Sequence, residues 1–568
     1  SNLAALTTDE VRALTTLQVS RLTNSQVGAL TSDQVVALKT NQLAALSVAQ
    51  VGAITTANAA ALTTDQLVKL TATQIAALTT AGVGALTTDQ IVAMTTGQFA
   101  ALTVGQMGAI KTGQVVKIET ADLVALKATQ LSGLTSASQA ALTTDQIQAL
   151  TSLQVAGLEA GDVPNLTTDQ VVALTTAQAA SLSALQLSNL TTAQLVALET
   201  RDVAALNALA ISGITTTGFS KLTTAQVNAL TTVQAAALLP AQLGVMNSAQ
   251  VQAISTRDLT ALTGAQISAM GTANVSKLLT SQIAALKGTQ LSALSSASVS
   301  ALSTDQVGAM TTTQLATFTA SQMAGLTSDQ VAALDTNALS SVSASAFSSI
   351  ASSTVHVMKT AQIAALSTAQ AAGLTVSQIA GLTTDQVVAL TTAQTRALNV
   401  QAVGALSSDQ IVAMETADLA AMQVAQIQAI STSNVAKLKT SQIANLTTSQ
   451  VGALKTNQIA AMTTSQVASI TTANLQVLSG TQLNAMSSAN VAALKTSQLV
   501  ALTSKQISTL SSGNVAALTT DQVVALTTNQ VLGLTVINTA GFSSADVLAL
   551  ETADLTLINA TAITGIQP

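Results

Sequence analysis

The chain has no cysteine, tryptophan or tyrosine, a single histidine and three prolines, with 1% aromatic and 8% charged residues. Each scarcity closes off a class of chemistry. Without cysteine there are neither disulfides nor thiolate metal sites, which suits secretion without oxidative folding. The lone histidine, His356, has no second histidine or cysteine to join it in a metal or catalytic cluster, and is expected on the surface. The net charge of −6 over 568 residues comes without a Lys/Arg cluster able to displace counterions, so nucleic acid is not an expected partner. No run of about 18 apolar residues occurs, because Thr, Ser or Gln returns in every octad, and no membrane span is expected. The chain opens Ser1-Asn2, with no initiator Met and no apolar leader, as expected of a processed product or a segment of a longer chain.

What is present is a repeat. Leu6-Thr7-Thr8-Asp9-Glu10-Val11-Arg12-Ala13 gives way at once to Leu14-Thr15-Thr16, and the cycle begins again. With positions lettered a to h from Leu6, one phase runs through Leu62, Leu142, Leu382 and Leu518 to Ile566. The 568 residues amount to 71 octads with no insertion or deletion. A fixed short period marks a repeat array and overrides the several globules that length alone suggests.

Position a is Leu, Ile, Met, Val or Phe, and f is nearly always Val, Ile or Leu, with lapses such as Ala59, Gln139, Thr395 and Thr539. All 11 Met and all 5 Phe fall at a or f, and no charged residue sits at a, c or f. Two positions per octad are therefore read as interior. From Val11 to Leu14 they lie three residues apart, neighbours on one face of a helix but on opposite faces of a strand. Charge placement agrees. Of 25 acids, six are at b, eleven at d and eight at e, whereas Arg12, Arg21, Lys69, Lys117 and Arg396 lie at g or h. Acid at the start and base at the end suit a helix macrodipole. Lys39 and Lys111 at b fit less well and are read as solvated flank residues.

Capping points the same way. Thr or Ser three residues before Gln or Glu, as in Thr87-Thr88-Asp89-Gln90, is the capping-box pattern. Both b and c are open as the N-cap, and Pro240 at c looks like a first-turn proline. Ala at g and h favours helix over strand. One long helix is excluded: eight residues turn through about 800°, so the apolar stripe would drift roughly 80° per octad. The expectation is an all-α solenoid with one helix of about five to seven residues per octad, too short to persist alone and held by stacking on neighbouring octads. A β-solenoid with octad rungs is the alternative.

Residues 1–568 are read as one continuous solenoid domain. Leu62-Thr63-Thr64-Asp65 returns as Leu142-Thr143-Thr144-Asp145, and Glu119-Thr120-Ala121-Asp122 as Glu199-Thr200-Arg201-Asp202, each 80 residues on. Growth by duplication of ten-octad blocks accounts for this. Asp residues also recur 24 apart, at Asp9 and Asp33, Asp65 and Asp89, Asp305 and Asp329, and Asp385 and Asp409; three octads per superhelical turn would stack them. Residues 340–357, Ser-rich and holding Phe347 and His356, keep phase and are read as divergent octads. Gly161-Asp162-Val163-Pro164 is a second weak spot, and the tail 559–568 is a candidate cap.

The Glu-Thr-x-Asp octads offer two carboxylates three residues apart, a conceivable weak Ca²⁺ ligand pair. First-turn charge stabilisation is the plainer account, the Asp taking the slot Gln usually fills. Regular Thr rows can contact ice or carbohydrate, though capping explains them without a ligand. No glycine-rich phosphate loop and no nucleophile–base pair stands out. The expected catalytic, cofactor-binding and metal residues are therefore none, and no cofactor is expected.

Leu382-Thr383-Thr384-Asp385-Gln386-Val387-Val388-Ala389-Leu390 resembles the opening helix of TAL-effector repeats. The second helix and base-reading loop of those repeats have no counterpart, so the resemblance implies a helix starting at the Thr pair and not DNA binding. Across all octads the chain looks like the Thr/Ala/Gln tracts of large bacterial surface or secreted proteins of adhesin type. That resemblance implies a non-enzymatic extracellular or cell-surface role as stalk, fibre subunit or adhesin spacer, self-associating or meeting surface and matrix components. A solenoid binding module for peptide, glycan or ice is the alternative.

Overall fold

The computed structural model describes residues 2–567, and of Asn2 the backbone alone. Among the described residues are 68 α-helices of four to six residues, the 3-10 segments Asn2–Ala5, Val163–Asn165 and Ala562–Gly565, and no strand. The β-rung alternative is thereby overturned and the all-α solenoid stands. The helices are slightly shorter than expected because each is closed at both ends by its own octad. Position b, not c, is the N-cap. Thr63 is extended (φ −72°, ψ 156°), its Oγ1 accepts from the Gln66 N–H, and the helix Thr64–Lys69 ends against the extended Leu70. Pro240 is the first residue of the helix Pro240–Gly244, where its missing N–H costs nothing.

Two compact units divide the chain at Leu286/Lys287. In each, a helix packs on the helices three octads before and after it. In the first unit Thr96–Ala101 lies between Ala72–Ala77 and Thr120–Ala125; in the second Thr392–Ala397 lies between Thr368–Ala372 and Thr416–Ala421. One superhelical turn is therefore three octads, 24 residues. The Asp pairs 24 apart do fall on packed helices: Thr8–Ala13 meets Ser32–Ala37, and Thr384–Val388 meets Ser408–Ala413.

The core follows from the octad. The a residues of seven consecutive octads, from Leu150 to Leu198, and the f residues Ile147, Val155, Val163 and Val171 together surround one void of about 20 Å³. Positions a and f thus share one interior. Position f is the more fully buried of the two, with Phe99, Phe219 and Phe347 all 0% exposed. A four- to six-residue helix has more orphan backbone groups than internal hydrogen bonds, so burial of a and f cannot be the whole account.

Departures from the regular octad have local causes. Residues 340–357 keep their helices, Ala344–Phe347 and Ser352–His356 among them. At 158–165 the α-helix gives way to the 3-10 segment Val163–Asn165, with Pro164 in its first turn. Gly271 stands where other octads carry the capping Thr; it has φ 75°, and helix Gly264–Ala269 runs almost directly into Gly271–Val275. Gly213 is the most confined of the glycines: a Cβ there would lie 2.0 Å from the Ala184 carbonyl oxygen. In the tail, Asn559 Oδ1 accepts from the Ala562 N–H at 2.8 Å.

Candidate functional site

The recurrent polar feature of the interior is position e. Two buried positions per octad were expected; there are three. From Gln34 onward the glutamines at e are buried, Gln66 at 2% exposure and Gln370 at 0%. Gln66 shows why. Its Oε1 accepts from the Thr63 N–H at 2.9 Å, completing the capping box of its own helix. Its Nε2 donates to Val35 O at 2.8 Å, Val36 O at 3.2 Å and Leu38 O at 2.8 Å on the preceding turn. The same side chain therefore satisfies donors at one helix start and orphan carbonyls at another helix end. Gln386 repeats the pattern in the second unit, taking the Thr383 N–H and reaching Val355, His356 and Met358 carbonyls at 2.8–3.0 Å.

Position e also takes shorter residues, most asparagines reaching the a carbonyl, though Asn514 Nδ2 reaches Leu483 O at f instead. Asn58 Nδ2 reaches only the a carbonyl, Leu30 O at 2.8 Å, while Oδ1 accepts from Ser32 Oγ at c of the turn before. Asp202 Oδ1 likewise accepts from Thr176 Oγ1 at 3.0 Å, and Asp258 Oδ1 from Thr232 Oγ1 at 2.8 Å. Glutamate occurs at e only as Glu10, in the first turn, where no earlier carbonyls face it and the residue is exposed. There the Thr7 N–H and then its hydroxyl hold the Glu10 carboxyl below its ordinary value. Sequence reasoning missed this layer because the capping box already explained the glutamine locally. The shortage of glutamate among eight acids at e was the available signal.

In three of the four Glu-Thr-x-Asp octads the aspartate is buried, Asp122 being 4%, Asp202 0% and Asp418 3% exposed, whereas Asp554 in the fourth is half-buried. Desolvation pushes all three carboxyls above the ordinary aspartate value. Hydroxyls of Thr96, Thr176 and Thr392 oppose the rise, and Glu119, Glu199 and Glu415 add to it; Arg201 also opposes it at Asp202. Arg201 Nε pairs with Glu199 Oε2 at 2.6 Å. Among the described residues no three acids, histidines or cysteines gather where a metal ion could be held. His356 is exposed, with Nδ1 2.7 Å from the Gly381 carbonyl oxygen. The Thr rows at b are engaged as caps, as Thr447 Oγ1 is by the Gln450 N–H at 3.2 Å. No helix among the described residues is long and apolar enough to cross a membrane.

The motif Ala389-Leu390-Thr391-Thr392-Ala393-Gln394 holds, in order, the C-cap of one helix, the core Leu, the N-cap of the next, its first helical residue, an exposed residue and the bridging Gln. The family model described as the ALTTAQ repeat matches residues 3–112, 115–152, 195–232, 251–320 and 347–512, in overlapping copies that cover well over half of the chain. The chain belongs to the ALTTAQ repeat family. The family's six-letter motif thus spells the residues that make the inter-turn bond, and unmatched stretches include the 3-10 segment at Val163–Asn165 and the C-terminal tail. No curated protein matches the chain.

Proposed function

We propose that this ALTTAQ array is a non-enzymatic structural element, an extracellular or cell-surface stalk, fibre subunit or adhesin spacer. The observation that carries the reading is the glutamine ladder. Most octads bond to the turn before them through a glutamine at e, with gaps at residues such as Gly82, Ala210 and Ala402, so length is added in near-identical increments and the bond between turns recurs along the chain. Such an array is built by nearest-neighbour contacts and leaves no irregular loop on which to assemble a catalytic site. Octad phase, unbroken from Leu6 to Ile566, is taken to mean one uninterrupted array. A binding module for glycan or ice has less support, since the b hydroxyls that would form its contact rows are occupied as caps.

Small-angle X-ray scattering of the full chain tests the architecture. An elongated particle with a constant cross-section is expected; a radius of gyration near the roughly 25 Å of a compact chain of this length would overturn the reading. Immunolabelling of intact, unpermeabilised cells tests the location. Labelling seen only after permeabilisation would remove the extracellular role.

A further inference from the structure

Position e is where glutamine bonds one turn to the one before, and at Asp122, Asp202 and Asp418 it is held instead by a residue able to gain or lose a proton. A glutamine at 202 would reach the Val171, Val172 and Leu174 carbonyls, 31, 30 and 28 residues earlier, as Gln234 reaches Val203, Ala204 and Leu206. An ionised carboxylate there has no proton to give them. Asp202 Oδ2 is buried with no hydrogen-bond partner, although Oδ1 has the Thr176 hydroxyl. Asp162, three residues after Glu159, likewise has a buried Oδ2 without a partner, whereas aspartates at e with Ser at b are better supplied. Asp258 receives the Ser255 hydroxyl, and Asp546 both the N–H and hydroxyl of Ser543. Where b is Glu instead of Ser or Thr, that hydroxyl is lost and a second negative charge stands at the helix start.

We propose that Asp122, Asp202 and Asp418 are proton-operated inter-turn latches: protonated, each donates its O–H to carbonyls of the preceding turn in the manner of the glutamine amide; ionised, each leaves those carbonyls unbridged. The surroundings permit this. Asp122, on Thr120–Ala125, is packed by Thr96–Ala101, which carries no charge, and Thr144–Ala149, whose one charged residue is Asp145. Asp202, on Thr200–Ala205, meets the uncharged helices Thr176–Ala180 and Thr224–Asn228, with Arg201 beside it at 3.9 Å. Asp418, on Thr416–Ala421, meets Thr392–Ala397, which carries Arg396, and Thr440–Ala444, preceded by Lys439. Glu119, Glu199 and Glu415 share the three octads.

The sign follows from linkage. A carboxyl whose value is raised in the folded chain stabilises it most below the unfolded value, and that contribution fades as pH rises through the folded value. The window therefore opens near 3.8 and extends upward. Hydrogen exchange of the full chain at about pH 7 and about pH 4.5 tests the latch, with glutamine octads of the same molecule as the internal reference for intrinsic exchange rates. Protection at the three Asp turns should rise severalfold on acidification relative to the glutamine turns. In the triple variant Asp122→Gln, Asp202→Gln, Asp418→Gln the protection should be high at both pH values; the matching Asn variant, which keeps a donor without a titrating group, should also lose the response. Equal behaviour of Asp and Gln turns, or a pH response that survives both triple variants, would overturn the proposal.

Discussion

Replacing Gln66 by glutamate changes one NH2 group to an oxygen and almost nothing else in volume. In the folded chain that group makes bonds of 2.8 Å to Val35 O and Leu38 O and a longer one to Val36 O, inside a site 2% exposed. Two intramolecular hydrogen bonds would be lost, at about 0.5–1.5 kcal/mol each, and the carbonyls left buried without them add about 1–3 kcal/mol. The carboxylate would also face carbonyl oxygens in place of solvent, a further unfavourable term. We expect a total of about 3–5 kcal/mol at neutral pH, comparable to breaking a buried charged pair. Acidification should recover part of it, since the protonated acid again donates. Cooperativity breaks down in long repeat arrays, so the loss should be read locally, as faster hydrogen exchange at residues 35–38 and 63–70, with octads several turns away unchanged. A loss under about 1 kcal/mol at neutral pH would show that the ladder contributes little and that aliphatic packing alone holds the turns. Glu10, exposed in the first turn, is the natural control: its replacement by Gln should leave exchange in the neighbouring octads unchanged.

Two paired substitutions separate the remaining claims. Gly213→Ala sets a methyl 2.0 Å from the Ala184 carbonyl oxygen and should destabilise its turn by more than about 2 kcal/mol, whereas Gly97→Ala, with open space around the new Cβ in the helix Thr96–Ala101, should stabilise by up to about 1 kcal/mol; denaturant titration of both against the parent decides. Thr63→Ala removes the cap that accepts from Gln66 N–H at 3.2 Å and should cost about 1 kcal/mol, whereas Thr64→Ala, at an exposed first-turn position, should cost nothing measurable. Equal effects at the two threonines would contradict the assignment of b as the cap.

Much of this architecture was legible in the octad. The a/f spacing, the acids before bases and the Thr-x-x-Gln box each indicate a helix per repeat, because each is a statement about residues within four positions of one another. Asp residues 24 apart even indicate the turn length. The burial of Gln66 was not legible, because its local explanation was complete: a capping glutamine needs no further partner to make sense. Aspartate and glutamate at e added to the impression of an exposed position, although the one glutamate lies where no earlier turn faces it.

By itself the sequence determined the period, the helix, its cap and the identity of the aliphatic core, since short-range geometry dictates which side chains share a face and which backbone groups go unpaired. Only the tertiary structure decided where the orphan carbonyls at each helix end find their donors. That partner lies 28 to 31 residues further along the chain, and it comes within bonding distance only when three octads close a turn.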